Sequence, residues 1–343
     1  MIKDNINKIL LVKPSALGDI IHTLPVLAAL HDNFPEAEIH WVVAKGLHQV
    51  LENHPMIKKL WIIDKNKWKK LEHAKGTIQE LTQLKKGLQQ ENFDVVIDLQ
   101  GLLRTGLIAK ATGCRNIIGF RQAREGAAMF YTEKVDVEWE GIHAVDRYLK
   151  LLEPLGCEIR KVEFPFAPFE KNIPLLQELP DKYAVIAPSA GKEANRWPAE
   201  RFGQLAAKLD IPSVIISAPA DAPVAEETLA NSAGNAVSIA GRTSIMELAA
   251  VIKKAEFLIS NDTGPMHIAA ALNVPVFAIF GPANPVRTGP YGDIHTIILN
   301  KVPCAPCYAK KRCAKWTCLD KLTVNMVYEA ISEELERRSA EKK

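Results

Sequence analysis

The sequence predicts an α/β chain folded as two doubly wound, Rossmann-like domains with an interdomain cleft. Three observations predict it. Short apolar runs alternate with helical stretches, as in a mainly parallel sheet covered on both faces. The alternation stops at a cluster of prolines and then restarts. The chain is 343 residues long and 48% hydrophobic, enough for two cores rather than one.

Residues 8–12 read as a buried strand and 14–18 as a turn. A helix follows, with Ile20, Ile21, Leu24, Leu27, Ala28 and Leu30 at helical spacing. Residues 39–43 and 60–63 read as strands, 79–89 as a helix, and 95–99 as a further strand. Gly101 then leads into a helix running through Ala109. Pro165, Pro168, Pro174 and Pro180 mark a linker. Beyond it, 183–187 is a strand, about 198–209 a helix, and 214–217, 257–260 and 276–280 are strands. The expected organisation is an N-terminal domain over 1–165, a linker over 166–180 and a C-terminal domain over 181–322. A helix over 323–343 could pack back on the N-terminal domain. Ligands of open parallel sheets bind outside the carboxyl ends of the strands, where a cleft between two such halves would lie.

The net charge of +3 does not point to nucleic acid. Nine lysines fall between Lys58 and Lys86, against Asp64, Glu72 and Glu80, with Trp61 and Trp68 among them. Such a run is either a solvated helix face or a surface for an anionic substrate or membrane. The N-terminus lacks a signal-peptide pattern, and no apolar run approaches the roughly 18 residues that cross a bilayer. The expectation is a cytoplasmic protein whose membrane contact is peripheral.

Three loops could carry chemistry. The first, residues 13–19, follows the first strand. Gly18 lets the backbone turn, and Asp19 falls in the first helical turn, where the helix dipole favours its ionised form. Position alone also fits a helix-capping aspartate. The functional reading is a general base that takes a proton from an acceptor hydroxyl. The second loop holds Asp262, Thr263, Gly264 and His267 between a strand and a helix. Backbone N–H groups at that helix start suit a diphosphate, and His267 could donate to a phosphate oxygen. A capped helix with a core histidine fits the same residues. The third holds Ser189, Lys192 and Arg196, which could stabilise charge on a leaving diphosphate or simply lie at the surface.

Cys304, Cys307, Cys313 and Cys318 fall within fifteen positions, with intervals of two, five and four residues. They could close a structural zinc or iron site, or remain free or paired thiols. Four sulfurs would leave no open coordination position for catalysis.

Together these stretches resemble glycosyltransferase family 9, the lipopolysaccharide heptosyltransferases, nearly end to end. Residues 13–19 continuing into His22, Thr23, Leu24 and Pro25 look like the family's N-terminal signature. Asp262, Thr263, Gly264 and His267, continuing to Phe280, Gly281 and Pro282, look like its donor signature. Asp98, Leu99, Gln100 and Gly101, with Gln122, Ala123, Arg124 and Glu125, look most like heptosyltransferase I. The resemblance implies a GT-B fold and inverting transfer of L-glycero-D-manno-heptose from ADP-heptose to Kdo of Kdo2-lipid A, with no cofactor required for catalysis. It implies Asp19 as base and Asp262, Thr263, Gly264 and His267 as donor contacts, to which the loop reading adds Ser189. Lys67, Lys69, Lys70 and Arg124 would hold the acceptor at the inner-membrane surface.

The chain departs from that pattern in three places. Asn195 stands where heptosyltransferase I enzymes carry a catalytic lysine, which leaves Lys192 or Arg196 to substitute. The ribose-contacting acid could be Asp221, Glu226 or Glu227; Glu226 is taken as the donor contact. The four-cysteine segment is not general to heptosyltransferase I. Rival readings keep the family with a later core heptose or a protein serine as acceptor, or leave it for a non-catalytic nucleotide-binding module or a sugar-nucleotide epimerase.

Overall fold

The computed structural model describes residues 6–64 and 74–341. The chain divides into two compact units, residues 1–168 and 169–343. In the first, strands β1 (Lys8–Val12), β2 (Glu38–Ala44), β3 (Lys59–Ile63), β4 (Val95–Asp98), β5 (Ile117–Phe120) and β6 (Glu133–Val135) alternate with helices. These are α1 (Leu17–Ile21), α2 (Leu24–Asn33), α3 (Ala74–Gln90), α4 (Leu103–Ala111) and α5 (Ala144–Leu149). The sheet order is β3-β2-β1-β4-β5-β6, with every pairing parallel.

The second unit repeats the plan. Its strands are β7 (Ala184–Ala187), β8 (Ser213–Ile215), β9 (Ala236–Ser238), β10 (Phe257–Asn261), β11 (Val276–Phe280) and β12 (Thr296–Leu299). Its helices are α6 (Ala199–Ala206), α7 (Ala222–Ala230), α8 (Ile245–Lys254), α9 (Gly264–Ala271), α10 (Pro285–Thr288), α11 (Thr317–Asp320) and α12 (Val324–Glu341). The order β12-β11-β10-β7-β8-β9 is again all parallel, and it is the order of the first sheet read from the other edge.

Both sheets reverse direction beside their first strand, between β1 and β4 and between β7 and β10. The loops leaving those strands cannot cover the crevice between them, so the carboxyl ends stay open to a ligand. The carboxyl ends in question lead into residues 13–19 and 98–101 in the first unit, and 188–196 and 261–267 in the second.

The central strands are apolar on both sides because helices cover both faces. Leu10, Val12, Val42, Val96 and Ile108 lie in one buried cluster. Ile186, Ile215, Ile259, Phe277 and Phe202 lie in another. Each fully buried side chain of this size contributes about 1.5–3 kcal/mol before the entropy of ordering it. Helices α6 and α7 approach closely at Gly203, where an added Cβ would lie 2.3 Å from the Thr228 carbonyl oxygen. Helix α12 buries Val327 and Ile331 in the core of the second unit, against α6 and β12. No helix among the described residues is long and apolar enough to cross a membrane.

Candidate active site

Lys13, directly after β1, is a fully buried lysine. Its Nζ donates to the Leu99 carbonyl at 3.0 Å and to the Tyr148 hydroxyl at 2.7 Å, and it lies 3.6 Å from Asp19 Oδ1. Tyr148, on α5, donates its own hydroxyl hydrogen to Asp19 Oδ1 at 2.8 Å. Asp19 Oδ2 accepts from the Ala16 amide at 3.0 Å, so the aspartate also caps α1. Its side chain is 37% exposed, which leaves it accessible to a substrate hydroxyl. Burial pushes the Lys13 ammonium below the usual lysine range, opposed first by Asp19 and then by Asp98. Burial likewise holds the Tyr148 phenol well above its usual range.

The neighbouring turn is built on Asp98, a buried carboxylate closing β4. Asp98 Oδ1 accepts from the amides of Gln100 and Gly101 at 3.0 and 3.1 Å, and Oδ2 from the Tyr131 hydroxyl at 2.7 Å. Gly101 sits at φ +67°, a conformation that favours glycine. Its carbonyl accepts from the Arg124 amide at 2.9 Å, which ties the exposed turn bearing Arg124 to the same strand end. Gln100 Oε1 accepts from the Ser15 amide at 3.4 Å and joins the two loops. Lys67, Lys69 and Lys70 lie outside the described residues.

In the second unit Asn261 joins the loops. Its Nδ2 donates to the Pro188 carbonyl at 2.7 Å and its Oδ1 accepts from the Trp197 amide at 2.9 Å. Asp262, Thr263 and Gly264 open α9 half-buried, and His267 is buried one turn in. Burial pushes the Asp262 carboxyl up to about 6, countered by Lys192 and by a 2.9 Å bond from Asn195 Nδ2. Ser189 Oγ is buried with no hydrogen-bond partner among the described residues.

The basic candidates separate. Lys192 is exposed, whereas Arg196 is engaged: Nε donates to the Ala190 carbonyl at 2.7 Å and Nη2 to Asp221 Oδ1 at 3.2 Å. Of the three acids weighed for the ribose, Asp221 is therefore paired with Arg196, while Glu226 and Glu227 are exposed on α7.

Of the two readings weighed for the four cysteines, a structural zinc or iron site and free or paired thiols, the metal site finds no support. All are free thiols lining one small cavity, with Cys304, Cys307 and Cys313 exposed and Cys318 buried. Among the described residues, no group of three or more His, Cys, Asp or Glu side chains is placed to hold a metal ion. Helix α11 places Cys318 in the core with Leu319 and Leu322. Cys313 Sγ accepts from the Trp316 amide at 3.2 Å. The segment buttresses the loop that follows β7, since Trp316 Nε1 donates to the Ala194 carbonyl at 3.3 Å.

Sequence reasoning missed Tyr148 and Asn261. Tyr148 lies 129 residues from its partner Asp19, and no local pattern announces it. Lys13 did carry a signal, a lysine closing an apolar strand.

The family model described as glycosyltransferase family 9 (heptosyltransferase) matches residues 81–317. The lipopolysaccharide heptosyltransferase 1 of Pseudomonas aeruginosa is 31% identical over 89% of this chain and 87% of its own length. That of Escherichia coli O18:K1:H7 is 29% identical over 96% of this chain and 98% of its own. The solved structure of E. coli heptosyltransferase WaaC with ADP superposes with a TM-score of 0.78 at 27% identity, covering 95% of this chain and 99% of that one. The two six-stranded parallel sheets follow the GT-B architecture.

Proposed function

The chain belongs to glycosyltransferase family 9, the heptosyltransferases, and from that premise we propose that it transfers L-glycero-D-manno-heptose from ADP-heptose to Kdo of Kdo2-lipid A, with inversion. The observation that carries the reading is the repeated strand order. It opens one switch point beside the carboxylate Asp19 and the other beside the diphosphate-suited start of α9.

In this reading Asp19 takes the proton of the acceptor hydroxyl. The acceptor oxygen bonds to the anomeric carbon of heptose from the face opposite the diphosphate. The carbon–oxygen bond to the diphosphate breaks, and its electron pair leaves with ADP. Lys192 is the basic side chain assigned to the growing charge, because two nitrogens of Arg196 are already committed to Ala190 and Asp221. Ser189, Asp262, Thr263, Gly264 and His267 bind the donor, with Glu226 on the ribose. No cofactor is assigned to the reaction. Lys67, Lys69, Lys70 and Arg124 hold the anionic acceptor, and the enzyme works in the cytoplasm, peripheral to the inner membrane.

A nucleotide-binding module without activity and a sugar-nucleotide epimerase are not favoured, since the family is one of transferases. Incubation with ADP-heptose and Kdo2-lipid A, followed by mass spectrometry of the lipid, tests the proposal. A mass gain of one heptose is expected. An unmodified lipid that becomes a substrate only after a first heptose is attached would move the acceptor further along the core.

A further inference from the structure

Tyr148 belongs to no motif of the sequence, yet its hydroxyl bonds the Asp19 carboxylate and is itself bonded by Lys13, the first residue of the 13–19 loop. A lysine ammonium has three donors and no acceptor. The 2.7 Å bond from Lys13 Nζ must therefore end on a lone pair of the Tyr148 oxygen. That leaves the single hydroxyl hydrogen of Tyr148 to point at Asp19 Oδ1, 2.8 Å away. The direction of the relay is fixed by donor counting alone.

We propose that Tyr148, backed by Lys13, is a positioning residue for sugar transfer, holding the Asp19 carboxylate ionised and turned to receive the acceptor's proton. The proposal rests on the reading of Asp19 as the base. Lys13 also donates to the Leu99 carbonyl, so β1 and β4 anchor the relay at both ends. Other charged or titratable groups on the surrounding elements act on it too. Asp98 on β4 favours the charged Lys13, and buried Arg147 on α5 opposes it. Arg147 itself stacks over Trp139, 4.3 Å from the ring centroid. His22 and His143, flanking α1 and α5, pair edge to face at 5.0 Å.

A hydrogen bond to a charged group has the size to shift a titration by about one pH unit. Donation from Tyr148 and the positive charge of Lys13 both favour the carboxylate, so removing either must move the acid limb of the kcat–pH profile upward. The test measures that profile for the full-length enzyme with ADP-heptose and Kdo2-lipid A. Tyr148→Phe should lower kcat roughly tenfold, raise the acid limb by about one pH unit and leave the donor KM within about twofold. Lys13→Met should shift the limb the same way.

Replacing Tyr148 with a fluorinated tyrosine keeps the ring and hydroxyl but strengthens the donor. It should move the limb downward, and it decides the matter if either other variant fails to fold by circular dichroism. Burial holds the phenol high enough for the fluorinated ring to stay protonated. An unmoved acid limb in the folded variants overturns the proposal, even where kcat falls. Asp19→Asn separates the two ideas: normal turnover there removes the base reading itself. Loss of turnover there, with an unmoved limb in the Tyr148 variants, removes only the positioning role.

Discussion

Asn195 donates from Nδ2 to Asp262 Oδ2 at 2.9 Å and so joins the loop after β7 to the start of α9. Asn195 is buried, and it occupies the position where the family resemblance implies a catalytic lysine. Here a neutral amide meets the carboxylate, and Lys192 supplies the nearby positive charge.

The Asp262 carboxyl titrates near 6 in the folded protein against an ordinary 3.8. The folded state therefore binds more protons than the unfolded chain between those values, and stability must fall as pH rises from about 4 to 6. Asp262→Asn removes that ionisation. The variant should be near neutral at pH 4 and more stable than the parent at pH 7, by up to about 3 kcal/mol. Denaturant unfolding at the two pH values checks this, and parallel pH curves would show that Asp262 titrates normally.

Asp19→Asn should abolish turnover while donor affinity stays within a few fold. A base acts in the transition state rather than in ground-state binding, so the loss belongs to kcat. Turnover and calorimetric donor binding, measured on one preparation, check it. Near-normal turnover would leave Asp19 as the cap that its bond to Ala16 already makes it.

His267→Ala and Asp262→Ala should each weaken donor binding more than acceptor binding, by about tenfold, the size of one charge-assisted hydrogen bond. Both residues belong to the opening turn of α9 or the residue just before its cap. Titration with a non-hydrolysable ADP-sugar reads the effect, and unchanged affinity would move the donor elsewhere.

Neutralising Lys67, Lys69 and Lys70 together should raise the acceptor KM and flatten its dependence on salt, because exposed charges are screened within about 8 Å at physiological ionic strength. Arg124→Ala should act more strongly than any single lysine change, since an exposed guanidinium can grip a carboxylate with two parallel bonds. Initial rates across a salt series measure both. Should the triple variant keep its acceptor KM and its salt slope, the run is only a solvated face.

Much of the architecture was legible in the chain. Residues 8–12, 95–99, 183–187, 257–260 and 276–280 read as strands, and β1, β4, β7, β10 and β11 lie there to within one residue at each end, because strands covered on both faces must be continuously apolar. The strands not read out were β5, β6, β9 and β12. Three of these, β6, β9 and β12, are sheet edges, and β6 and β9 have only three residues each, too short for a period to register. The cysteine segment was left open by the sequence, between a metal site and free or paired thiols. Spacing fits both, and what the fold adds is that α11 places Cys318 in the core while the other three thiols are exposed.

The sequence by itself determined the two-part α/β plan and the loops at the strand ends, since apolar periodicity and glycine-bearing turns are local properties. It also placed Asp19 and Asp262 at the starts of helices. Only the tertiary structure decided what surrounds those carboxylates. Asp19 meets Tyr148 across 129 residues, and Asp262 meets Asn195 across 67. Whether a carboxylate is stabilised or strained depends on burial and on donors brought in from other strands and helices. Those distances exist only once the two sheets have set their strand order.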